Sequence, residues 1–418
     1  MPNYPYYTEP THDQGVITNA SGNAARDTAV SSAEGRLIVD AQDKIMLLEP
    51  NKHPLVTLLT QVRASDGAYK GSRIMKASTG NPEFKWFEDV YGGRYAKASA
   101  ASSNTEVHVT GAGSSSAHIF TIGDVVKVAR TGENMLVGTV ATGGDTTELT
   151  VTRGYGSVAS TPIVAGDSLY IIGNVNEENG AARNVNTTRS VAQTNYTQIF
   201  RTTLAVSGTE DAAKLYGGRD LPYLRSKKGT EHALDIERAF WFGQKKSDTS
   251  GTQGHPRRAT GGVLEFIERG NSYVQNQGGP LTAPDLNTFL REAFTYGNQT
   301  KTLFAGGLLL QAINEIARGQ IQTNVGDTQY GVKISKWMTA FGEINIVHNP
   351  LFVEDYASYG FLLDMECFKY RYMEGRDTKL KTNIQAPDVD GIVDEYLTEC
   401  GLQRMQAPRH ALIKGVTA

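Results

Sequence analysis

The chain has 418 residues, 39% hydrophobic and 20% charged, with a formal net charge of -3; it is long enough for two or three packing units rather than one core. A protein that lives by binding phosphates would carry a basic surplus, so the near-neutral balance argues against a dedicated nucleic-acid binder and suits a subunit that packs against copies of itself. Two cysteines, Cys367 and Cys400, exclude a disulfide framework and fit folding in a reducing cytoplasm.

In chain order, residues 1–35 are rich in Asn, Thr, Ser, Ala and Gly without an apolar period, and read as an extended arm ordered against a neighbour. The first residues have neither a basic nor an apolar region, so no signal peptide is expected, and no apolar run is long enough to span a bilayer. Residues 36–70 hold a helix over Leu37, Ile38, Ala41, Ile45 and Leu48. Past Pro50 and Pro54, Leu55, Leu58 and Leu59 form a second short apolar turn.

Residues 71–102 and 176–207 read as the two arms of one long hairpin. The first carries Phe84, Trp86 and Phe87; the second alternates Tyr196, Phe200, Leu204 and Val206 with polar residues. A hairpin of this kind needs another surface to lie on. Between them, residues 103–175 are Gly/Thr/Ser/Val-rich with many short apolar runs, the pattern of a small all-β unit. Its core is predicted from Val107, Val109, Val126, Val128, Leu149, Val151, Leu169 and Ile171. Within it, Thr121–Val128 (TIGDVVKV) echoes Val164–Ile171 (VAGDSLYI), each with Gly-Asp at the entrance to a strand.

Residues 208–262 hold an interrupted helix and a following loop. A start at Thr209, Glu210 and Asp211 is broken by Gly217 and Gly218, and a longer helix runs from Asp220 to Phe242. Leu224, Ile236 and Phe240 fall on its apolar side; Arg225, Lys227, Lys228, Glu231, Glu237 and Arg238 fall on the other. The loop carries Arg257 and Arg258. Residues 263–355 turn mixed α/β, and 356–418 close the chain with strands.

Chemical motifs are missing. There is no Walker A loop, nucleophile elbow or HExxH. DVDG at Asp388–Gly391 fails as a calcium loop, because a loop with Gly391 sixth would begin at Ala386 and end at Leu397; a turn before a helix is expected instead. The eight histidines are dispersed, and four Asn-x-Ser/Thr triplets, at Asn19, Asn186, Asn195 and Asn298, carry no meaning without secretion. No convergent titratable cluster suggests an enzyme, a metal or a cofactor.

The order of parts, together with NKHPLVTLL (Asn51–Leu59), FKWFEDV (Phe84–Val90), the stretch Asn195–Thr209, YLRSKKGTEHALDIERAFWFG (Tyr223–Gly243) and APRHALIKGV (Ala407–Val416), resembles the major capsid proteins of tailed bacteriophages. The resemblance covers most of the chain outside 103–175. It implies an α+β Hong Kong 97-like fold: an N-arm (1–35), a P-domain start (36–70), an E-loop hairpin (71–102 and 176–207), a spine helix and loop (208–262), an A-domain (263–355) and closing strands of both domains (356–418). The departure from the family's pattern is the E-loop tip, which carries the β unit. What the resemblance implies for function is a virion shell of hexamers and pentamers, assembled in the host cytoplasm around double-stranded DNA, with portal and scaffold or decoration proteins as partners. No membrane partner is implied. Phe84, Trp86, Glu88, Arg201, Arg225, Lys227, Lys228, Arg257 and Arg258 are the expected subunit-interface residues. An encapsulin-like compartment and a tail-tube or fibre subunit are the alternatives; the long polar arm and enlarged hairpin argue against the first, the mid-chain helix against the second.

Overall fold

The computed structural model describes residues 54–60, 75–99, 105–110, 119–143, 146–183, 187–213, 220–249, 254–317, 328–329, 332–333 and 335–417. The arm and the helix expected before residue 54 lie outside these. The short apolar turn is helix α1 (Pro54–Thr60), with Leu55 and Leu59 fully buried.

Strands β1 (Lys76–Thr79), β2 (Glu83–Glu88), β3 (Tyr95–Ala98), β4 (Glu106–Thr110), β5 (Asp124–Val128), β6 (Asn134–Gly143), β7 (Thr146–Thr152), β8 (Ser168–Asn174), β9 (Val191–Tyr196) and β10 (Gln198–Ser207) follow. Then come α2 (Gly208–Ala212) and α3 (Asp220–Phe242). Ser207 caps α2 by accepting from Glu210 N, and Pro222 is tolerated because it sits in the first turn of α3. The loop after α3 is a short hairpin, β11 (Lys246–Asp248) with β12 (Arg257–Ala259), where sequence reading expected irregular chain. Beyond it lie α4 (Val263–Arg269), β13 (Tyr273–Pro280), α5 (Ala283–Ala293), β14 (Thr300–Ala305) and α6 (Gly307–Ala317). Thr282 and Asp285 cap α5 reciprocally, with Pro284 in its first turn. The closing strands are β15 (Thr328–Gln329), β16 (Val332–Lys333), β17 (Ser335–Met338), β18 (Glu343–His348), β19 (Gly360–Leu363), β20 (Phe368–Met373), β21 (Lys379–Lys381), β22 (Gly391–Arg404) and β23 (Ala411–Thr417). DVDG therefore precedes a strand, not a helix. Backbone pairing decides the matter: Gly391–Cys400 lies along β10 and Cys400–Arg404 along β20.

Three bodies of sheet result. A five-stranded sheet runs β1-β20-β22-β10 with β21 also on β22, and α3 packs on it. A six-stranded mixed sheet runs β13-β23-β19-β14-β18-β17, with α5 and α6 beside it. The chain crosses between the two sheets three times, through α3 and α4 before β13, after β19 and after β22. Trp241, fully buried at the end of α3, joins them, its ring 5.1 Å from Phe304, 4.9 Å from Phe352 and 5.0 Å from Phe361.

The third body is a closed barrel, β3-β4-β7-β6-β5-β8. All eight predicted core residues line it, seven buried and Ile171 partly so. Its first strand, Tyr95–Ala98, precedes residue 103, so the expected boundary cut one strand off. That strand is four residues long, with two alanines facing in, and offers no apolar run to read.

Candidate functional site

Between barrel and sheets stands a two-stranded ribbon, β2 antiparallel to β9, with Glu83 opposite Tyr196 and Glu88 opposite Val191. The hairpin expectation is thus half right. β9 returns along β2, but β10 leaves the ribbon after Thr197 and pairs along its whole length with β22, Gln198 opposite Cys400 through Ser207 opposite Gly391. Phe200, Leu204 and Val206 face the subunit's own interior.

One residue fixes the ribbon's base. Asn195 is fully buried; its amide nitrogen donates to the carbonyls of Leu402 (2.6 Å) and Gly261 (3.1 Å), and its oxygen accepts from the N–H of Gly261 and Tyr196, both at 2.9 Å. A buried amide satisfied at both ends is a rigid joint, since loss of any partner leaves a desolvated group. Gly401 permits the close approach: a Cβ there would lie 2.5 Å from the Tyr196 carbonyl and 2.9 Å from the Phe84 ring.

From that base the ribbon presents two unlike faces. Phe84 and Trp86 turn inward and are buried. The Trp86 indole donates to Glu88 Oε1 at 2.7 Å, and the same oxygen accepts from Gln406 N at 3.0 Å. Phe87, by contrast, is 74% exposed, and the chain beyond it continues with Val90 at 68% and Tyr91 fully exposed, beside Val191 on the partner strand. Adjacent aromatics at 86 and 87 contained the signal: on a strand, one of two neighbours must face out. The sequence reading took Phe84 and Trp86 as interface residues and passed over Phe87.

The charged residues expected at an interface are mostly engaged at home. Arg201 holds Glu395 with two hydrogen bonds, and Arg225 reaches the buried Asp394 at 2.7 Å. Lys228 pairs with Glu231 one turn along α3. Lys227 is half-buried on α3, while on β12 Arg257 is exposed and Arg258 half-buried. The nine residues do not converge on one place. Glu237, expected on the solvent side of α3, is fully buried instead. Its carboxylate accepts from Leu55 N (2.9 Å), Val56 N (2.7 Å) and the Trp241 indole (2.8 Å), capping α1 and tying it to the helix. Burial pushes its pKa from 4.5 to about 7 against the pull of those three donors.

Nothing in this arrangement is poised for catalysis. His232 is held between Thr202 and Thr398, and burial lowers its pKa. Burial pushes the Cys367 thiol up to about 11 and Cys400 up to about 12, which leaves both unreactive. Among the described residues no group of three or more His, Cys, Asp or Glu side chains could hold a metal ion, and no helix is long and apolar enough to cross a membrane.

A family model described as SU10 major capsid protein matches residues 16–417. The chain belongs to the SU10 major capsid protein family. Membership makes it a structural protein rather than an enzyme. A curated relative, the major capsid protein of Pseudomonas phage PaMx41, is 27% identical over 264 residues, a match that spans 60% of this chain and 62% of the relative. Among solved structures, the capsid of a native GTA particle superposes with a TM-score of 0.50 over 93% of this chain and 99% of that one, at 9% identity. Likeness at that identity speaks for the fold alone: the SU10-family chain has the Hong Kong 97-like α+β capsid architecture.

Proposed function

We propose that the chain assembles with copies of itself, as hexamers and pentamers, into an icosahedral shell that packages phage double-stranded DNA. The observation that carries this reading is the exposed run of Phe87, on the two-stranded ribbon, with Val90 and Tyr91 just beyond its strand. Two strands alone cannot bury such a row, and contiguous exposed apolar residues mark association. A net charge of -3 lets many copies pack without strong repulsion.

In this reading the ribbon is the E-loop, the barrel is an insertion at its tip, α3 is the spine helix, and the five- and six-stranded sheets are the P- and A-domains. Lys227, Arg258 and the exposed Arg257 meet a neighbour or, non-specifically, the phosphates of packaged DNA, a contact that weakens steeply with salt. Portal and scaffold or decoration proteins complete the particle, which assembles in the host cytoplasm. Sedimentation and negative-stain imaging of the purified chain test the proposal. Rings or closed particles are expected; a stable monomer under all salt and pH conditions would sink it.

A further inference from the structure

The barrel is built twice over. Strands β3, β4 and β5 correspond in order to β6, β7 and β8. The pairing β3·β4 recurs as β6·β7, β3·β8 recurs as β6·β5, and β4·β7 and β5·β8 map onto themselves. The register obeys the same pseudo-two-fold: Tyr95 lies opposite Tyr170 as Asn134 lies opposite Lys127, and Lys127 faces Tyr170 across the axis. The scaffold asks the same of both halves. Where their outer surfaces differ, folding is not the reason.

Exposed aromatic residues separate two equivalent strand pairs along one row. The β3–β8 pair exposes Tyr95 (55%), Tyr170 (45%) and Ile172 (56%), the two rings 5.8 Å apart. The matching positions of the β6–β5 pair hold Asn134, Lys127 and Ala129. In sequence, Tyr95 closely follows the exposed Val90 and Tyr91 that lead out of the ribbon. At the opposite pole of the same axis, β4 and β7 present Glu148 opposite His108, 3.5 Å apart, with Glu106 two residues along.

We propose that the β3–β8–β5 face of one barrel docks on the β4–β7 face of the barrel of a second copy, Tyr95 and Tyr170 covered and Lys127 meeting Glu148. This rests on the assembly reading and deepens it. A closed barrel has no strand edge to lend, so contact must come through side chains. The exposed aromatics supply the area to be buried, and the unlike charges of the two poles select the orientation. Because the faces differ, the contact is head-to-tail, the type that closes into rings when the rotation allows.

Hydroxyl-radical footprinting of the full chain before and after assembly provides the first test. Labelling of Tyr95 and Tyr170 falls several-fold in particles while Tyr155, which lies against β6, holds its level; undiminished labelling of both overturns the contact. The second test is charge reversal in the full chain. Lys127→Glu and Glu148→Lys each lower the temperature at which particles come apart, and the two together restore it, because every contact again joins opposite charges. Singles without effect, or a double variant that is not restored, overturn the pairing. Failure of the unmodified chain to form particles overturns the assembly reading and this contact with it, an outcome distinct from particles whose tyrosines stay accessible.

Discussion

Asp124 and Asp167 occupy the same position in the two halves of the barrel. Each follows a glycine in the left-handed region, Gly123 at φ +86° and Gly166 at φ +92°. Each carboxylate accepts the N–H three residues back, Thr121 at 2.7 Å and Val164 at 2.9 Å, and each glycine N–H reaches the facing strand, at Val137 O and Ala98 O. The arginine clamps cross over: Arg130, after β5, grips Asp167, and Arg183, beyond β8, grips Asp124.

Equivalent turns should fail equivalently. Asp124→Ala and Asp167→Ala are expected to speed amide exchange in β5 and β8 to similar extents while leaving the two large sheets protected, as hydrogen exchange of the full chain would record. The Arg130 hydrogen bond holds the Asp167 carboxyl below its ordinary 3.8. A depressed folded pKa contributes stability above the ordinary value that is lost as pH falls through the lowered one. Exchange around Val164 should therefore accelerate in acid, and Arg130→Gln should move that onset upward.

Much of this architecture was legible beforehand, and the failures have common causes. The TIGD and VAGD echo was readable because a left-handed glycine followed by a capping aspartate is a local device, written in adjacent residues. Strand β10 was read correctly as a strand and given the wrong partner, since alternation reports a half-buried face and says nothing of what covers it. Glu237 was misplaced for the same reason. A carboxylate on a helix reads as a solvated charge unless the donors that hold it are known, and Leu55 lies 182 residues away. Asn195 looked like a glycosylation triplet and is the joint of the ribbon; its partners at 261 and 402 are equally remote.

Glu237 gives a prediction of size and one of sign. Glu237→Ala strips the acceptor from two α1 amides and the Trp241 indole, which should cost roughly 3 kcal/mol or more at 1–3 kcal/mol per buried unsatisfied donor. Chemical denaturation with exchange readout at residues 54–60 would measure it. The pKa raised to about 7 means the folded state holds the proton more tightly. That contribution is full below the unfolded value of 4.5 and is lost as pH rises through about 7. Glu237→Gln should flatten the decline; an unchanged slope would place its origin elsewhere.

His410 works in the opposite direction. At the last crossing between the sheets its Nδ1 accepts from Asp364 N at 3.2 Å and its Nε2 donates to Met405 O at 3.1 Å, which requires a neutral ring. Burial pushes its pKa down to about 3 from 6.5. Stability from this group is full above 6.5 and is lost as pH falls towards about 3. NMR titration should find the ring neutral at pH 5, and a charged ring there would refute the assignment.

Trp241 tests how the two sheets are joined. Its indole is enclosed by Phe304, Phe352 and Phe361, so Trp241→Ala opens a cavity at the junction, with an expected loss of about 3–5 kcal/mol. Trp241→Phe keeps most of the volume and should lose clearly less, although the donor to Glu237 goes with the indole nitrogen. Equal losses for the two variants in equilibrium unfolding would mean that the hydrogen bond, not the packing, makes the joint.

The barrel should be removable. Its entry and exit lie side by side, Ile171 N donating to Arg94 O at 2.8 Å, and its core of Val107, Val126, Leu149 and Leu169 is separate from the clusters of the two sheets. An inserted unit with neighbouring ends at an exposed tip can be excised without strain on its host. Replacing residues 95–174 with a short Gly/Ser linker should leave the ribbon, with Asn195 at its base, and both sheets folded, the main thermal transition little changed. Particles of the shortened chain, where they form, should come apart at lower temperature because the contacts through Tyr95 and Tyr170 are gone. An insoluble or unfolded product would show that the barrel belongs to the main core. Particles as heat-resistant as those of the full chain would show that its outer face meets no neighbour.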